Sequence, residues 1–195
     1  LYQMCIRMKD PYVVALDKLT GKERWKMARE SDAEHESRHS YASPILYKDD
    51  KRSLLIIHGA DCISAHRLDD GEEVWRDGTG VLNPRSDYNR MLRFVASPAA
   101  APGLVVVPSA KGMPVLGVKP DGKGDVTATH VSWKRGRNTT DVPTPAIHDG
   151  LVYMPRENGV MICIDAKTGD ELYQERLHSG RQRSSPVVAD GKIYL

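Results

Sequence analysis

Residues 15–25 read Ala15-Leu16-Asp17-Lys18-Leu19-Thr20-Gly21-Lys22-Glu23-Arg24-Trp25, and this stretch returns along the chain. At an offset of 50, Ala65, Gly71, Glu73 and Trp75 stand in register with Ala15, Gly21, Glu23 and Trp25. At an offset of 148, Asp165, Thr168, Gly169 and Glu171 repeat the pattern, and Tyr173 takes the place of the tryptophan. A degenerate copy lies between them at 115–122, with a longer glycine-containing turn before Trp133. A second landmark alternates with the first: Ser43-Pro44, Ser97-Pro98, Thr144-Pro145 and Ser185-Pro186, spaced by 54, 47 and 41 residues. Repeats of about 40 to 50 residues signal propeller blades or helical arrays.

The apolar runs inside each unit decide between the two. Ala146-Ile147-His148 meets Asp149-Gly150, Leu151-Val152-Tyr153-Met154 meets Asn158-Gly159, and Val160-Met161-Ile162-Cys163-Ile164 meets Thr168-Gly169. Asp-Gly and Asn-Gly between apolar β-formers are strong hairpin signals, because both residues tolerate the positive φ of primed turns. Three turns make four strands, whereas runs this short and rich in Val and Ile do not build two-helix repeats. The expected fold is all-β: a β-propeller fragment of about four and a half four-stranded antiparallel blades packed radially. Its expected divisions are the remainder of blade 1 (1–30), blade 2 (40–78), blade 3 (94–134), blade 4 (142–177) and the start of blade 5 (184–195).

The repeated residues then take mechanical roles as a structural docking motif. Asp17 and Asp165 are placed to accept N–H bonds from their own turns, with help from Thr20 and Thr168. Gly21, Gly71 and Gly169 supply left-handed backbone. Trp25, Trp75 and Tyr173 fall on the last strand of a blade, where a large ring buries about 150–250 Å² against the adjoining blade.

The chain has 195 residues, 40% of them hydrophobic, and its 28 basic and 26 acidic residues leave a net charge of +2. That balance gives no broad footprint for nucleic acid, and no apolar run approaches the length of a membrane-spanning helix. Cys5, Cys62 and Cys163 are far apart and odd in number, which points neither to a disulfide framework nor to a zinc site. The chain opens on Leu1-Tyr2-Gln3 and closes on Ile193-Tyr194-Leu195 within an apparent strand, so it is read as a fragment. Two open sides of the blade stack then call for the remaining blades of a ring or for self-association.

The run A-L-D-x-x-T-G-K-x-x-W at 15–25, echoed at 65–75 and 163–173, resembles the tryptophan-docking motif of pyrroloquinoline quinone (PQQ) propeller repeats. The resemblance covers almost the whole chain and implies the quinoprotein-like propeller fold. It implies either of two functions, since the family holds PQQ-dependent alcohol and sugar dehydrogenases and non-catalytic members such as the outer-membrane assembly lipoprotein. The dehydrogenases hold PQQ with adjacent cysteines, a tryptophan floor, a calcium ion and an Asp base. The adjacent cysteine pair is absent here, and the tryptophans are accounted for by docking positions. The expectation is therefore no catalytic, cofactor-binding or metal-binding residue in this chain, with PQQ and calcium implied only by the dehydrogenase alternative. The intact docking repeats beside the absent cofactor set favour non-catalytic scaffolding with a protein partner, the lack of a long apolar run argues against membrane insertion, and the resemblance implies a periplasmic or cell-envelope location.

Other motifs are weaker. His35-Glu36-Ser37-Arg38-His39 spells the zinc-protease H-E-x-x-H, but its polar flanks and its place in an inter-blade loop argue against the buried helix that chemistry needs. Asn138-Thr139-Thr140 matches a glycosylation acceptor by chance. His58, His66, His130, His148 and His178 fall singly on different repeats and read as satisfied or surface histidines, and Cys163 as a buried structural thiol. The inter-blade segments 28–42, 77–95, 134–143 and 177–184 are longer than a propeller needs, and long loops commonly carry function. Three of them bear Arg85, Arg90, Arg93, Lys134, Arg135, Arg137, Arg181 and Arg183, so a basic rim is expected. Arg85, Tyr88, Arg90, Arg93, Arg135 and Arg137 are its candidate partner-binding residues, since Arg and Tyr are enriched at hot spots.

Overall fold

The computed structural model describes residues 10–78, 81–110, 113–136 and 140–195, together with the backbone of 2–5. Among the described residues five sheets follow one another along the chain, antiparallel except for one parallel pair at the edge of the second. The first has three strands, β1 (Tyr2–Cys5), β2 (Tyr12–Leu16) and β3 (Glu23–Ala28). The second contains β4 (Ile45–Lys48), β5 (Ser53–Gly59), β6 (Cys62–His66) and β7 (Glu73–Asp77). The third contains β8 (Ala99–Ala101), β9 (Leu104–Val107) and β10 (Val115–Val118), then, beyond the short β11 (Gly124–Asp125), β12 (Val131–Arg135). The fourth contains β13 (Ala146–His148), β14 (Leu151–Pro155), β15 (Val160–Asp165) and β16 (Glu171–Arg176). The last is the hairpin of β17 (Val187–Ala189) and β18 (Lys192–Tyr194). We number these blades 1 to 5; the complete ones are four-stranded meanders, as propeller blades are.

Period-two alternation sends each strand's side chains to both neighbouring blades. In β5, Leu54 and Ile56 join Trp75, Val105 and Leu116 in a core between blades 2 and 3, while Leu55 and Ile57 join Val13 and Trp25 between blades 1 and 2. In β9, Val105 and Val107 face blade 2, and Val106 lies with Val152, Met154 and Ile162 on the blade 4 side. The middle strands are buried on both faces, which explains why they read as continuous apolar runs.

One joint recurs between blades. The indole N–H of Trp25 donates to the carbonyl of Leu68 at 3.0 Å, that of Trp75 to Pro120 at 2.9 Å, and that of Trp133 to Ala166 at 2.9 Å. Leu68, Pro120 and Ala166 hold the same place in successive blades, one residue into the turn that joins the third and fourth strands. A Cβ on Gly71 would sit 2.5 Å from the Trp25 ring and one on Gly169 2.8 Å from Trp133, so these glycines give the indole room as well as positive φ. The turns hold themselves: Asp17 Oδ1 accepts the N–H groups of Leu19 and Thr20 and the Thr20 hydroxyl at 2.9–3.0 Å, and Asp165 Oδ1 accepts those of Lys167 and Thr168. Blade 2 has Arg67 at that place, and its guanidinium instead pairs with Asp69, Asp70 and Glu72.

Tyr173 meets no third-to-fourth-strand turn of a following blade among the described residues, and it is 42% exposed, with Leu172 beside it 54%. Trp133, by contrast, makes the full joint although the six-residue enlargement of the turn before it obscured the repeat. Backbone bonds close that turn across eleven residues, Lys119 to His130, where Asp17 to Lys22 spans five.

Trp75 is wholly buried, a burial worth about 4–6 kcal/mol at ~25 cal/mol/Å². Trp75→Ala is expected to cost about 3–5 kcal/mol, and Tyr173→Ala less than about 1 kcal/mol. Urea denaturation of the two variants checks this; equal losses would contradict the role given to the joint.

Candidate functional site: the inter-blade linker face

The connections between blades gather on one face with the second-to-third-strand turns, and blade 2 shows how they are fixed. Arg29 leaves β3 and is 2% exposed, with no carboxylate partner among the described residues. It donates instead to the carbonyls of Gly59 and Cys62 at 3.0 and 3.2 Å, the Ser64 hydroxyl at 3.3 Å and the Cys62 sulfur at 3.2 Å. It thus anchors the start of the first linker to the turn between β5 and β6. Spreading a guanidinium's donors over several carbonyls lowers the cost of burying the charge.

Asp61, on the same turn, is also buried and binds the second linker. Its carboxylate accepts the Tyr88 hydroxyl at 2.6 Å and the Asn83 amide at 3.0 Å. The Tyr88 oxygen in turn accepts the Glu34 N–H at 2.8 Å. Asn83 exchanges bonds with the Asn89 backbone, whose carbonyl also receives the Ser37 hydroxyl. Burial raises the Asp61 carboxyl above the usual carboxylate range, and the bonds from Tyr88 and Asn83 partly offset this. Burial and the Asp61 bond raise the Tyr88 phenol as well. The two linkers therefore form one surface braced from beneath.

The arginines expected to form a basic rim are compensated. Arg85 pairs with Asp32 at 2.6 Å and lies over the Tyr88 ring at 4.3 Å. Arg90 pairs with Glu34 at 3.3 Å and also contacts His35, while Arg93 pairs with Glu36 at 3.1 Å. Arg135 pairs with Glu171 at 2.7 Å and donates to the Gly169 carbonyl, and Arg181 and Arg183 share Glu157. The acidic partners of blade 2's arginines come from the first linker, which the expectation of a net positive face left out of account. That face carries mixed charge, with Tyr41, Met91 and Leu177 among its exposed apolar side chains. Arg137 lies outside the described residues, as do Asn138 and Thr139.

The H-E-x-x-H segment forms a single 3-10 turn over His35–Arg38. Its Glu36 is the partner of Arg93 and its Ser37 is buried between the linkers, so the residues serve the bracing. Among the described residues no group of three or more His, Cys, Asp or Glu is arranged to hold a metal.

Two buried ionisable side chains lie outside this network. His58 is 1% exposed, and its ring nitrogens make only loose contacts with the backbone at Pro108 and Cys62. Burial, then the neighbouring Arg29 charge, push it down to about 3, and the ring is neutral beside Phe94. Asp77, two residues beyond Trp75 and facing blade 3, is 1% exposed, and the Thr127 side chain offers its carboxyl no more than a loose hydrogen bond. Burial raises it to about 6; nearby Asp125 adds to the shift, and Thr127 and Lys134 oppose it.

A family model described as outer membrane protein assembly factor BamB, a PQQ-repeat family, matches residues 61–195. The chain belongs to that family. No curated protein matches the sequence. Among solved structures, BamB from Moraxella catarrhalis is 19% identical with a TM-score of 0.62, covering 93% of this chain and 51% of its own. Quinohemoprotein alcohol dehydrogenase from Comamonas testosteroni is 12% identical with a TM-score of 0.63, covering 96% and 38%. Sqt1 from Saccharomyces cerevisiae is 15% identical with a TM-score of 0.65, covering 94% and 48%. At these identities the likeness establishes the propeller fold, and the chain spans about half or less of each of these proteins. The fold of this chain is thus like that of both a BamB and a dehydrogenase, and the backbone does not choose between them.

Folded Asp77 keeps its proton up to about pH 6, whereas an unfolded aspartate releases it near pH 4, so this carboxyl weakens the fold as pH rises through that window. Asp77→Asn is expected to match the parent near pH 4 and to exceed its stability at pH 7 by up to about 3 kcal/mol. Urea midpoints at the two pH values check this; a constant difference would exclude a charged, buried Asp77.

Proposed function

We propose that this chain is part of an extracytoplasmic, non-catalytic propeller that engages a protein partner across the braced linker face. One observation carries the reading: Trp25, Trp75 and Trp133 each spend the indole N–H on the next blade's turn, and Gly71 and Gly169 make room for two of the rings. The joints are of the kind the dehydrogenases also use, but they account for all three tryptophans of this chain and leave none for a cofactor floor; the sequence holds no adjacent cysteine pair, and both facts favour the non-catalytic reading.

Membership in a family described as an outer membrane protein assembly factor supports the cell-envelope location and the protein partner. The linker face supports binding in its own right. Its loops are held by buried hydrogen bonds, so a partner meets a preorganised surface and little ordering entropy is lost on contact.

Site-specific photo-crosslinkers at Tyr41 and Met91 test the reading, with Leu19, 86% exposed on a turn of the opposite face, as reference. In cells of the source organism, one discrete crosslinked protein is expected from the first two sites and none from Leu19. Equal yields from all three would remove the case for this face. Tryptophan fluorescence during PQQ and calcium titration is expected to show no stoichiometric quenching, and stoichiometric quenching would restore the dehydrogenase reading.

A further inference from the structure

One position differs between successive blade interfaces. Tyr47, Ala101 and His148 each stand three residues after the landmark proline of their blade, and their cross-strand partners are Leu54, Leu104 and Leu151. Tyr47 is fully buried and faces blade 3 with Leu54. Its hydroxyl donates to Asp49 Oδ2 at 2.6 Å and accepts the Gly103 N–H of blade 3 at 3.0 Å. Between blades 2 and 3 this ring fills the end of the interface and satisfies the amide of the adjoining turn.

Between blades 3 and 4 the same place holds only the methyl group of Ala101. A cleft of about 900 Å³ opens there, with Ala101, Leu104, Ile147, Gly150, Lys119 and Lys167 in its lining. Gly150 is the counterpart of Gly103, five residues past its proline and of similar φ, 75° against 81°. Among the described residues its N–H has no acceptor. Lys119 and Lys167 have no close carboxylate partner among those residues, although the Lys167 charge helps to hold Asp165 ionised. Asp165, bonded to its own turn, and Asp149, 3.2 Å from His148, line the cleft as well. The cleft thus offers a partly apolar hollow, a backbone donor at its end and two ammonium groups beside it.

We propose that the cleft between blades 3 and 4 receives a tyrosine side chain of a partner polypeptide, whose flanking carboxylates Lys119 and Lys167 hold. The visiting tyrosine does in trans what Tyr47 does within the chain one interface earlier, its hydroxyl accepting the Gly150 N–H. That the ligand is a polypeptide rests on the reading of the chain as a protein-binding propeller. The cleft itself lies on the face opposite the linkers.

The probe is a fluorescein-labelled Glu-Asp-Tyr-Asp-Glu amide, titrated with the full 195-residue chain and followed by anisotropy. Saturable one-to-one binding is expected. Replacing the peptide's tyrosine by phenylalanine should weaken it about fivefold, and by glycine should abolish it. Lys119→Glu combined with Lys167→Glu should weaken it at least about tenfold. Ala101→Tyr, which fills the hollow from within, should abolish binding and raise the thermal midpoint of the protein. The absence of saturable binding, equal affinity for the tyrosine and glycine peptides, or undiminished binding to Ala101→Tyr would each overturn the proposal. So would a lowered midpoint for Ala101→Tyr, since the hollow would then not be a tyrosine seat. Crosslinks at Tyr41 and Met91 do not depend on this cleft, so the linker-face reading and this one fail separately.

Discussion

The indole-to-turn joint is the constraint on which the rest of the structure depends. A single four-stranded meander has two apolar faces and cannot bury either alone, so every blade must be fixed to a neighbour before it is stable. The joint does this with one ring and one hydrogen bond, and it ties two local decisions together. The turn must present the carbonyl of Leu68, Pro120 or Ala166 to the ring of the preceding blade, and in blades 2 and 4 it carries a glycine where that ring arrives. Asp17 and Asp165 secure the turn with their carboxylates, whereas Arg67 secures it with a fan of exposed ion pairs, each worth little alone. Two chemistries thus produce one backbone shape, because what the neighbouring blade reads is the shape.

The linker face is held by a different physics. The blade interfaces are dry and apolar, but Arg29, Asp61, Asn83 and Tyr88 brace the loops with buried polar groups. Such a network is favourable only when nearly every donor and acceptor finds a partner. Arg29 and Asp61 do, and they make the two linkers interdependent. His58 makes only loose contacts, and it is accommodated as a neutral ring against Phe94. The region combines rigidity with a mixed-charge exterior, which suits recognition by shape and local pairing more than long-range attraction of an anion.

The blade pattern was legible in the sequence because its determinants are local. Asp, Thr and Gly at fixed offsets specify a turn whatever surrounds them, and the aromatic follows at a fixed distance on the next strand. Trp133 was harder to align because the enlarged turn broke that distance while leaving the joint intact. The charge state of the linker face was not legible, since Asp32, Glu34 and Glu36 meet arginines more than fifty residues away and only the folded loops bring them together. Tyr173 looked like a joint residue by spacing, yet spacing says nothing about whether a receiving turn exists opposite it. Ala101 was the quietest signal. In Ala99-Ala100-Ala101 it reads as an unremarkable strand residue, and it gains meaning only when set in the column occupied by Tyr47.

The enlarged turn of blade 3 has an effect beyond its own blade. Its strand β11 runs parallel to β7, with Gly124 opposite Trp75 and Asp125 opposite Arg76, making a fifth strand on blade 2. Among the described residues, the sheets of blades 1, 3 and 4 end outwardly in β3, β12 and β16 with no further strand paired there. Blade 2 is sealed by its neighbour. The blades are therefore not equivalent at their outer edges, and the sealed blade gives an otherwise repetitive perimeter a fixed reference point.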